Sequence, residues 1–434
     1  MHRYRPGWGL RAFVMTGVFI VLLPTISACT STDTRTATPA SSTGSKIPSS
    51  AFKDHTGITP TTVTVGNVST LTLGLFKGAA IGTEAYAAYV NSRGGVNGRR
   101  ILVDSYDDGF AGAPNKEYTE ETIQKDAALV GGFSLQDSFG GAVLTSNPQV
   151  PNVTVSLDPS TINQPNSFSP VPAVNGWSLG PLAYFKGKFP AAVTRTGELV
   201  ADQPSAIDKW DGQRAAMEHL GYHIVYDQKF DITQTDFNQN IIAMRDAGVK
   251  ILFIEQMPQN YAAAVVKALN QQDFHPVLVL GNSTYSEELV PDAGGAAAID
   301  GAYLEQSFAL YLGEDSASIP AVNTFLTWVQ KVSPGFKPDL FTLFGWLSGE
   351  LFTEALQSAG RNPSRGSVLK ALRRITTFTG GILSGPVDPA GRRPSGCYII
   401  ARVADGRIHR IDDPPVIGPT HGYRCDLPFF YLNR

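Results

Sequence analysis

An α/β fold built from two successive strand–helix sets is expected for this chain, and three observations predict it. Apolar or β-branched runs alternate with segments of helical period from residue 62 onward, the alternation passes through two sets of similar size, and the composition supplies a large core. Of 434 residues, 42% are hydrophobic, 17% charged and 10% aromatic. At about 100–200 residues per domain, this length implies two or three domains. The charge density is too low for a disordered polyelectrolyte. With 35 basic against 38 acidic residues the formal charge is −3, which leaves no basic footprint for a nucleic acid.

The chain opens on an export signal. Residues 2–11 are basic, and 12–23 form an apolar run of 12, too short to span a bilayer and the right length for a signal-peptide core. Ile26-Ser27-Ala28-Cys29 follows. The combination resembles the bacterial lipoprotein signal, in which the peptidase cuts before the cysteine and its sulfur takes a diacylglycerol. An ordinary cleaved signal would leave Cys29 incidental. Residues 1–28 are therefore expected to be removed and Cys29 lipidated, several acyl chains anchoring stably where one is marginal. Without the three signal arginines, the remaining 32 basic and 38 acidic residues give a charge of −6. Between 30 and 50, 12 of 21 residues are Ser or Thr and none is aromatic. Residues 29–56 are accordingly assigned to the lipidated cysteine and a Ser/Thr-rich tether.

The body then alternates in βαβ order, which right-handed crossovers turn into a mostly parallel sheet with helices on both faces. Strand 62–68 leads through a polar loop to helix 79–91, strand 101–106, helix 113–128 and strands 128–131 and 150–155. In the second set, strands 191–194, 224–229, 251–255 and 277–280 alternate with helices 207–220, 237–247 and 261–271, and Gly221 and Gly248 stop two of them. After Gly301 come strand 302–307, aromatic helices 321–332 and 341–358, and a hairpin at 395–411 turning on Ala404-Asp405-Gly406.

Cys397 and Cys425 lie near the end of an exported body, where an oxidising compartment favours a disulfide over free thiols. No CxxC spacing accompanies them and no HxxxH lies near them, which argues against zinc. His219, His223 and His275 read as surface or packed side chains. There is no GxxxxGK[ST] loop, post-strand GxGxxG or HExxH. No catalytic residue, metal or cofactor is assigned, and enzyme activity is not expected.

The segment 82–101, GTEAYAAYVNSRGGVNGRRI, followed by Tyr106-Asp107-Asp108, resembles the first helix, turn and second strand of type I periplasmic binding proteins. It is most similar to the leucine/isoleucine/valine-binding branch, which serves ABC importers. Asn91 ends the helix, Gly94-Gly95 allow the reversal, and Val96-Asn97-Gly98 starts the next strand through a tight turn. Looser matches follow at Phe237-Asn238 before Ile241 and Met244, at Val279-Leu280-Gly281-Asn282, and at Gly385-Pro386-Val387-Asp388 with Gly391, so the resemblance covers roughly 60–411. It implies two Rossmann-like lobes joined by three crossovers, with a ligand cleft between them that closes by hinge motion. On this reading lobe 1 is 57–178 plus 305–382, and lobe 2 is 179–304 plus 383–434.

In open α/β sheets the ligand sits beyond the carboxyl ends of the strands. That rule selects Thr70, Thr72, Phe76, Gln136, Asp137 and Ser156 in lobe 1, with Phe344 on the aromatic helix. In lobe 2 it selects Asp202, Gln203, Glu255, Met257, Ser283 and Tyr285, with Glu198 beside them. The sequence departs from the amino-acid-binding members at three places. Ser283 stands where an acid usually pairs with the ligand ammonium, Leu75 and Phe76 stand where a tyrosine is usual, and Gln136 and Asp137 replace a hydroxyl-and-amide loop. A buried unpaired ammonium is costly, so an α-amino acid would require Glu255, Asp137 or Asp202 to take that role. An amide, an aromatic acid or a larger apolar solute suits the departures as well.

The expected function is that of a lipid-anchored solute-binding protein on the extracytoplasmic face of the cell membrane. It would hand an amino acid, amide or related molecule to the membrane subunits of an ABC importer. A sensory or scaffolding lipoprotein of the same fold would instead fill its cleft with its own side chains and expose an apolar patch. A cell-envelope hydrolase would need acids such as Asp137, Glu255 and Asp202 to converge in the cleft.

Overall fold

A computed structural model describes residues 46–432 except Leu75 and Gln256; the export signal and Cys29 lie outside the described residues. Lobe 1 begins with β1 (Thr62–Ser69), α1 (Lys77–Ser92), β2 (Arg100–Asp107), α2 (Gly112–Lys125), β3 (Leu129–Val130), α3 (Asp137–Ser146), β4 (Asn152–Val153) and the short α4 (Pro159–Ile162). The chain crosses through β5 (Gly176–Ser178) into lobe 2: α5 (Leu179–Lys188), β6 (Thr196–Ala201), α6 (Pro204–His219), β7 (Ile224–Phe230), α7 (Asn238–Ala247), β8 (Ile251–Ile254), α8 (Gln259–Gln271) and β9 (Val277–Leu280). The short α9 (Leu289–Asp292) and α10 (Ala296–Ile299) lead to β10 (Tyr303–Gln306). The chain returns to lobe 1 for α11 (Pro320–Val332), α12 (Leu340–Ser358) and α13 (Arg365–Leu372), and finishes in lobe 2 with β11 (Ile399–Ala404), β12 (Arg407–Arg410) and β13 (Phe429–Tyr431).

Lobe 1 holds a parallel sheet of order β2-β1-β3-β4, and lobe 2 a sheet of order β12-β11-β10-β9-β8-β6-β7. The latter is parallel except for the β11–β12 hairpin, which also pairs antiparallel with β10. These are the two α/β halves and the mostly parallel pairing expected from the alternation. Apolar residues on one face of the lobe 2 sheet, such as Leu252, Leu280 and Leu304, join the main core. The other face, with Phe253, Val279 and Tyr303, packs a second core against α5 and α6.

The motif at 82–101 works through local chemistry. The Asn91 amide donates to the Ile101 carbonyl and accepts from the Ile101 N–H, both at 2.7 Å, so the end of α1 is clamped to the start of β2. Gly94, Gly95, Asn97 and Gly98 all take positive φ, which three glycines and an asparagine tolerate. α12 starts at a capping box in which Asp339 accepts from the Thr342 N–H at 2.8 Å.

α1 and α12 cross in backbone contact. A Cβ on Gly82 would lie 1.9 Å from the Thr342 carbonyl oxygen, and one on Gly345 would lie 2.1 Å from that of Ala79. Gly345→Val must therefore push the helices apart. We expect a loss of about 1–3 kcal/mol, the range for overpacking a filled core, measured as a lower urea midpoint with an unchanged m-value.

Three expectations are corrected. The strand placed at 191–194 is a 3-10 turn (Ala192–Arg195), and the strand begins at Thr196. Gly197 and Glu198 mask it in the sequence, the first because Val249 leaves it no room for a Cβ and the second because it faces the cleft chemistry described below. Residues 49–56, assigned to the tether, are folded: Ser49–Lys53 form a 3-10 helix whose Ala51 is fully buried. The lobe boundaries shift by two or three residues. β5 pairs with β13 and packs on α6, and β10 belongs wholly to the lobe 2 sheet. Helices α3, α5 and α13 went unassigned in the sequence. Cys397 and Cys425 form a disulfide.

Candidate functional site: the interlobe cavity

At the carboxyl ends of β8, β9 and β10 the strand register builds a polar floor. Ile254, Leu280 and Leu304 are in register across the three parallel strands, so Glu255, Gly281 and Glu305 form the next row. Glu198 on β6 joins them, its Oε1 accepting from the Glu255 N–H at 3.3 Å. All three acids are buried, and each keeps a carboxyl oxygen without a protein partner. Burial pushes the Glu305 carboxyl up to about 8. Burial, then the charges of Glu305 and Glu198, push Glu255 well above the usual carboxylate range.

Above this floor lies a cavity of 270 Å³, about the volume of nine liquid waters. Glu255, Ser283, Glu305 and Gln306 line it from lobe 2, and Leu340 and Phe344 from α12 of lobe 1. Trp177, Phe308, Tyr398 and Phe429, from the crossovers and their neighbours, add aromatic surface. Lys209 of α6 also lines it, donating to the Val174 carbonyl at 3.2 Å. Burial depresses its ammonium to about 8 against the opposing charge of Asp208. Apolar walls with a few placed polar groups are the usual make-up of a small-molecule site.

Of the residues selected from the sequence, Glu255, Ser283 and Phe344 line this cavity. The Ser283 hydroxyl donates to the Met257 carbonyl at 2.8 Å, which fixes the β9 loop on the β8 loop. Phe76 stands behind the wall, its ring 4.6 Å from that of Phe341, which in turn meets Phe344 at 6.0 Å. Thr70 and Thr72 serve their own loop. Thr70 donates to the buried Asp108 at 2.7 Å, and Thr72 to Asp107 at 2.6 Å, so the Asp-Asp of the motif pins the loop after β1.

Gln136 precedes α3, with its N–H on the Ser134 hydroxyl at 2.9 Å. Asp137 accepts from Ser156, and burial pushes its carboxyl up to about 7. Asp202 is exposed, and the Gln203 amide donates to the Asp202 carbonyl. Met257 and Tyr285 are core residues, the Tyr285 hydroxyl donating to Glu314. Asp137, Glu255 and Asp202 thus do not meet in one site.

Sequence reasoning missed Glu305, Gln306 and Lys209. The first two carry a legible signal, an acid and an amide closing an otherwise apolar strand at a carboxyl end. Lys209 carries none, being one polar residue among several on α6.

The sequence profile of the family described as periplasmic binding protein matches residues 62–407. Among relatives, the Leu/Ile/Val-binding protein homolog 1 of Brucella abortus (strain 2308) is 21% identical over 351 residues, covering 76% of this chain and 87% of its own. A solved branched-chain amino acid ABC transporter protein from Thermus thermophilus, with bound valine, superposes with a TM-score of 0.67 at 17% identity, over 81% of this chain and 96% of that one. A solute-binding protein of an ABC transporter from R. palustris, in complex with 4-hydroxybenzoate, gives a TM-score of 0.67 at 19% identity, over 85% and 98%. The two-lobed architecture is therefore shared with proteins whose ligands differ in chemistry, and the extent of the profile match shows that the chain belongs to the periplasmic binding protein family.

Proposed function

We propose that the protein is a lipid-anchored extracytoplasmic receptor that captures a small molecule in the interlobe cavity and delivers it to the membrane subunits of an ABC importer. The observation that carries this reading is the cavity itself, walled by α12 of lobe 1 and by the strand ends of lobe 2. A ligand there touches both lobes at once and favours the state in which they are held together. Its volume of 270 Å³ suits one amino acid, amide or monocyclic aromatic acid. The lipoprotein-like signal ending at Cys29 supports the anchor, and the family supports the extracytoplasmic place and the importer.

A thermal-shift panel of amino acids, amides and aromatic acids tests the capture. At a hundredfold excess over Kd a true ligand adds about 2.7 kcal/mol, a rise of several degrees. A folded protein that responds to no compound in the panel would count against it. Cys29→Ser tests the anchor, with the expectation that the protein moves from the membrane to the soluble fraction.

A further inference from the structure

The following inference rests on the reading of the cavity as the ligand site and concerns what the ligand carries. Glu255 and Glu305 stand in one row on either side of Gly281, and residues in one row of parallel strands face the same side of the sheet. Gly281 is at φ −96°, so its glycine is needed for space and not for backbone freedom. A Cβ there would lie 1.9 Å from Glu255 Oε2. The absent side chain is the gap that lets one carboxyl lean toward the other.

Glu255 is 8% and Glu305 6% exposed, and Glu255 Oε1 and Glu305 Oε2 have no protein partner. Gln306, 1% exposed, lines the same cavity with both amide atoms unpartnered. Among the described residues no ion pair reaches these acids, and no group of acids, histidines or cysteines is arranged to hold a metal ion. Two buried carboxylates in one row, neither of them in an ion pair, cannot both stay ionised at neutral pH.

We propose that Glu255 and Glu305 hold a proton between them in the empty protein and release it to solvent when a ligand's cationic nitrogen, an amine or amidine, enters the cavity beside them. The nitrogen's N–H groups then supply the donors that the carboxyl oxygens and the Gln306 carbonyl lack. The other titratable groups facing the pair are Glu198 on β6, Tyr222 after α6, whose hydroxyl donates to the Leu182 carbonyl at 2.6 Å, and Lys209 on α6. The sign is fixed. A cation binds the ionised pair, so affinity rises with pH until the pair has lost its proton, which burial delays toward pH 8 at Glu305.

Matched probes test this by calorimetry at pH 6, 7 and 8 in buffers of different ionisation enthalpy: leucine against 4-methylpentanoate, phenylalanine against 3-phenylpropanoate, and benzamidine against benzamide. The charged-nitrogen member of at least one pair is expected to bind, tightening up to about tenfold per pH unit with about one proton released. Glu305→Gln should flatten that profile and abolish the release. Gly281→Ala, which keeps every charge but displaces the Glu255 carboxyl, should do the same and serves where Glu305→Gln does not fold. Binding of the members that lack a cationic nitrogen, or of the cations with a flat pH profile and no proton release, overturns the inference and leaves solute capture standing. Binding of neither member while another class of compound raises Tm does likewise. If no compound of any class binds, both readings fall.

Discussion

Arg365→Leu is expected to lose about 3–5 kcal/mol of stability, the cost of breaking a buried ion pair from one side. The Arg365 side chain is 3% exposed and lies 3.0 Å from Asp54. Its remaining donors go to the backbone: Nη2 to the carbonyls of Ile123 at 2.6 Å and Asp126 at 2.5 Å, and Nε to that of Ala127 at 3.3 Å. One guanidinium thus ties together the incoming chain, the end of α2 and the start of α13. Its five rigid N–H donors suit that task as a lysine's ammonium would not. Leucine leaves three buried carbonyls without their Arg365 donors and the Asp54 carboxylate with only the Thr56 N–H at 3.0 Å. Burial already pushes the neighbouring Asp126 carboxyl up to about 7 against the pull of Arg365 and Lys125, so removing Arg365 raises it further. Urea unfolding followed by far-UV circular dichroism measures the loss. A change below about 1 kcal/mol would mean that the clamp is decorative.

Replacing Cys397 and Cys425 by serine is expected to cost about 3 kcal/mol, from the closure entropy of a loop with a sequence separation of 28. The local backbone reinforces the link. Tyr398 and Arg424 exchange N–H···O bonds of 2.9 and 2.7 Å next to the disulfide. The cavity residues Tyr398 and Phe429 flank it, and Phe429 lies on β13, whose Phe430 is in register with Trp177 of β5. The double serine variant is therefore expected to bind its ligand more weakly as well as to unfold at a lower urea concentration. Treating the wild-type protein with reductant should reproduce both changes; an unchanged midpoint would sink the prediction.

What could be read in the sequence was what local chemistry decides. The α1–turn–β2 passage was legible because Asn91, the paired glycines and Asn97-Gly98 each do their work within ten residues of chain. The 404–406 turn and the cysteine pair were legible for similar reasons. Helix α3 was not, since Gly140-Gly141 lie in its middle and have poor intrinsic propensity. Those glycines fit tightly against Thr119 of α2 and Ser160 of α4, so tertiary packing overrides propensity there. The strand-end rule led to Glu255 and Ser283 but also to Met257 and Tyr285, which neighbouring loops swallow into the core, while Phe344 came from the aromatic helix. The pairing of Glu255 with Glu305 is a product of register across three strands, and no spacing in the sequence announces it.

The grip of Arg365 on the incoming chain also sets a mechanical asymmetry. A tensile load applied upstream of Lys46 meets Ile47, which packs on the core, then the buried Ala51 and the Asp54–Arg365 pair, the last two resting on α13 and the end of α2. The force is grounded in lobe 1, and the sheet from β6 to β12 hangs outside the loaded path. Under the proposed anchor, lobe 1 would be the fixed jaw of a vice, and lobe 2 would carry none of the pull.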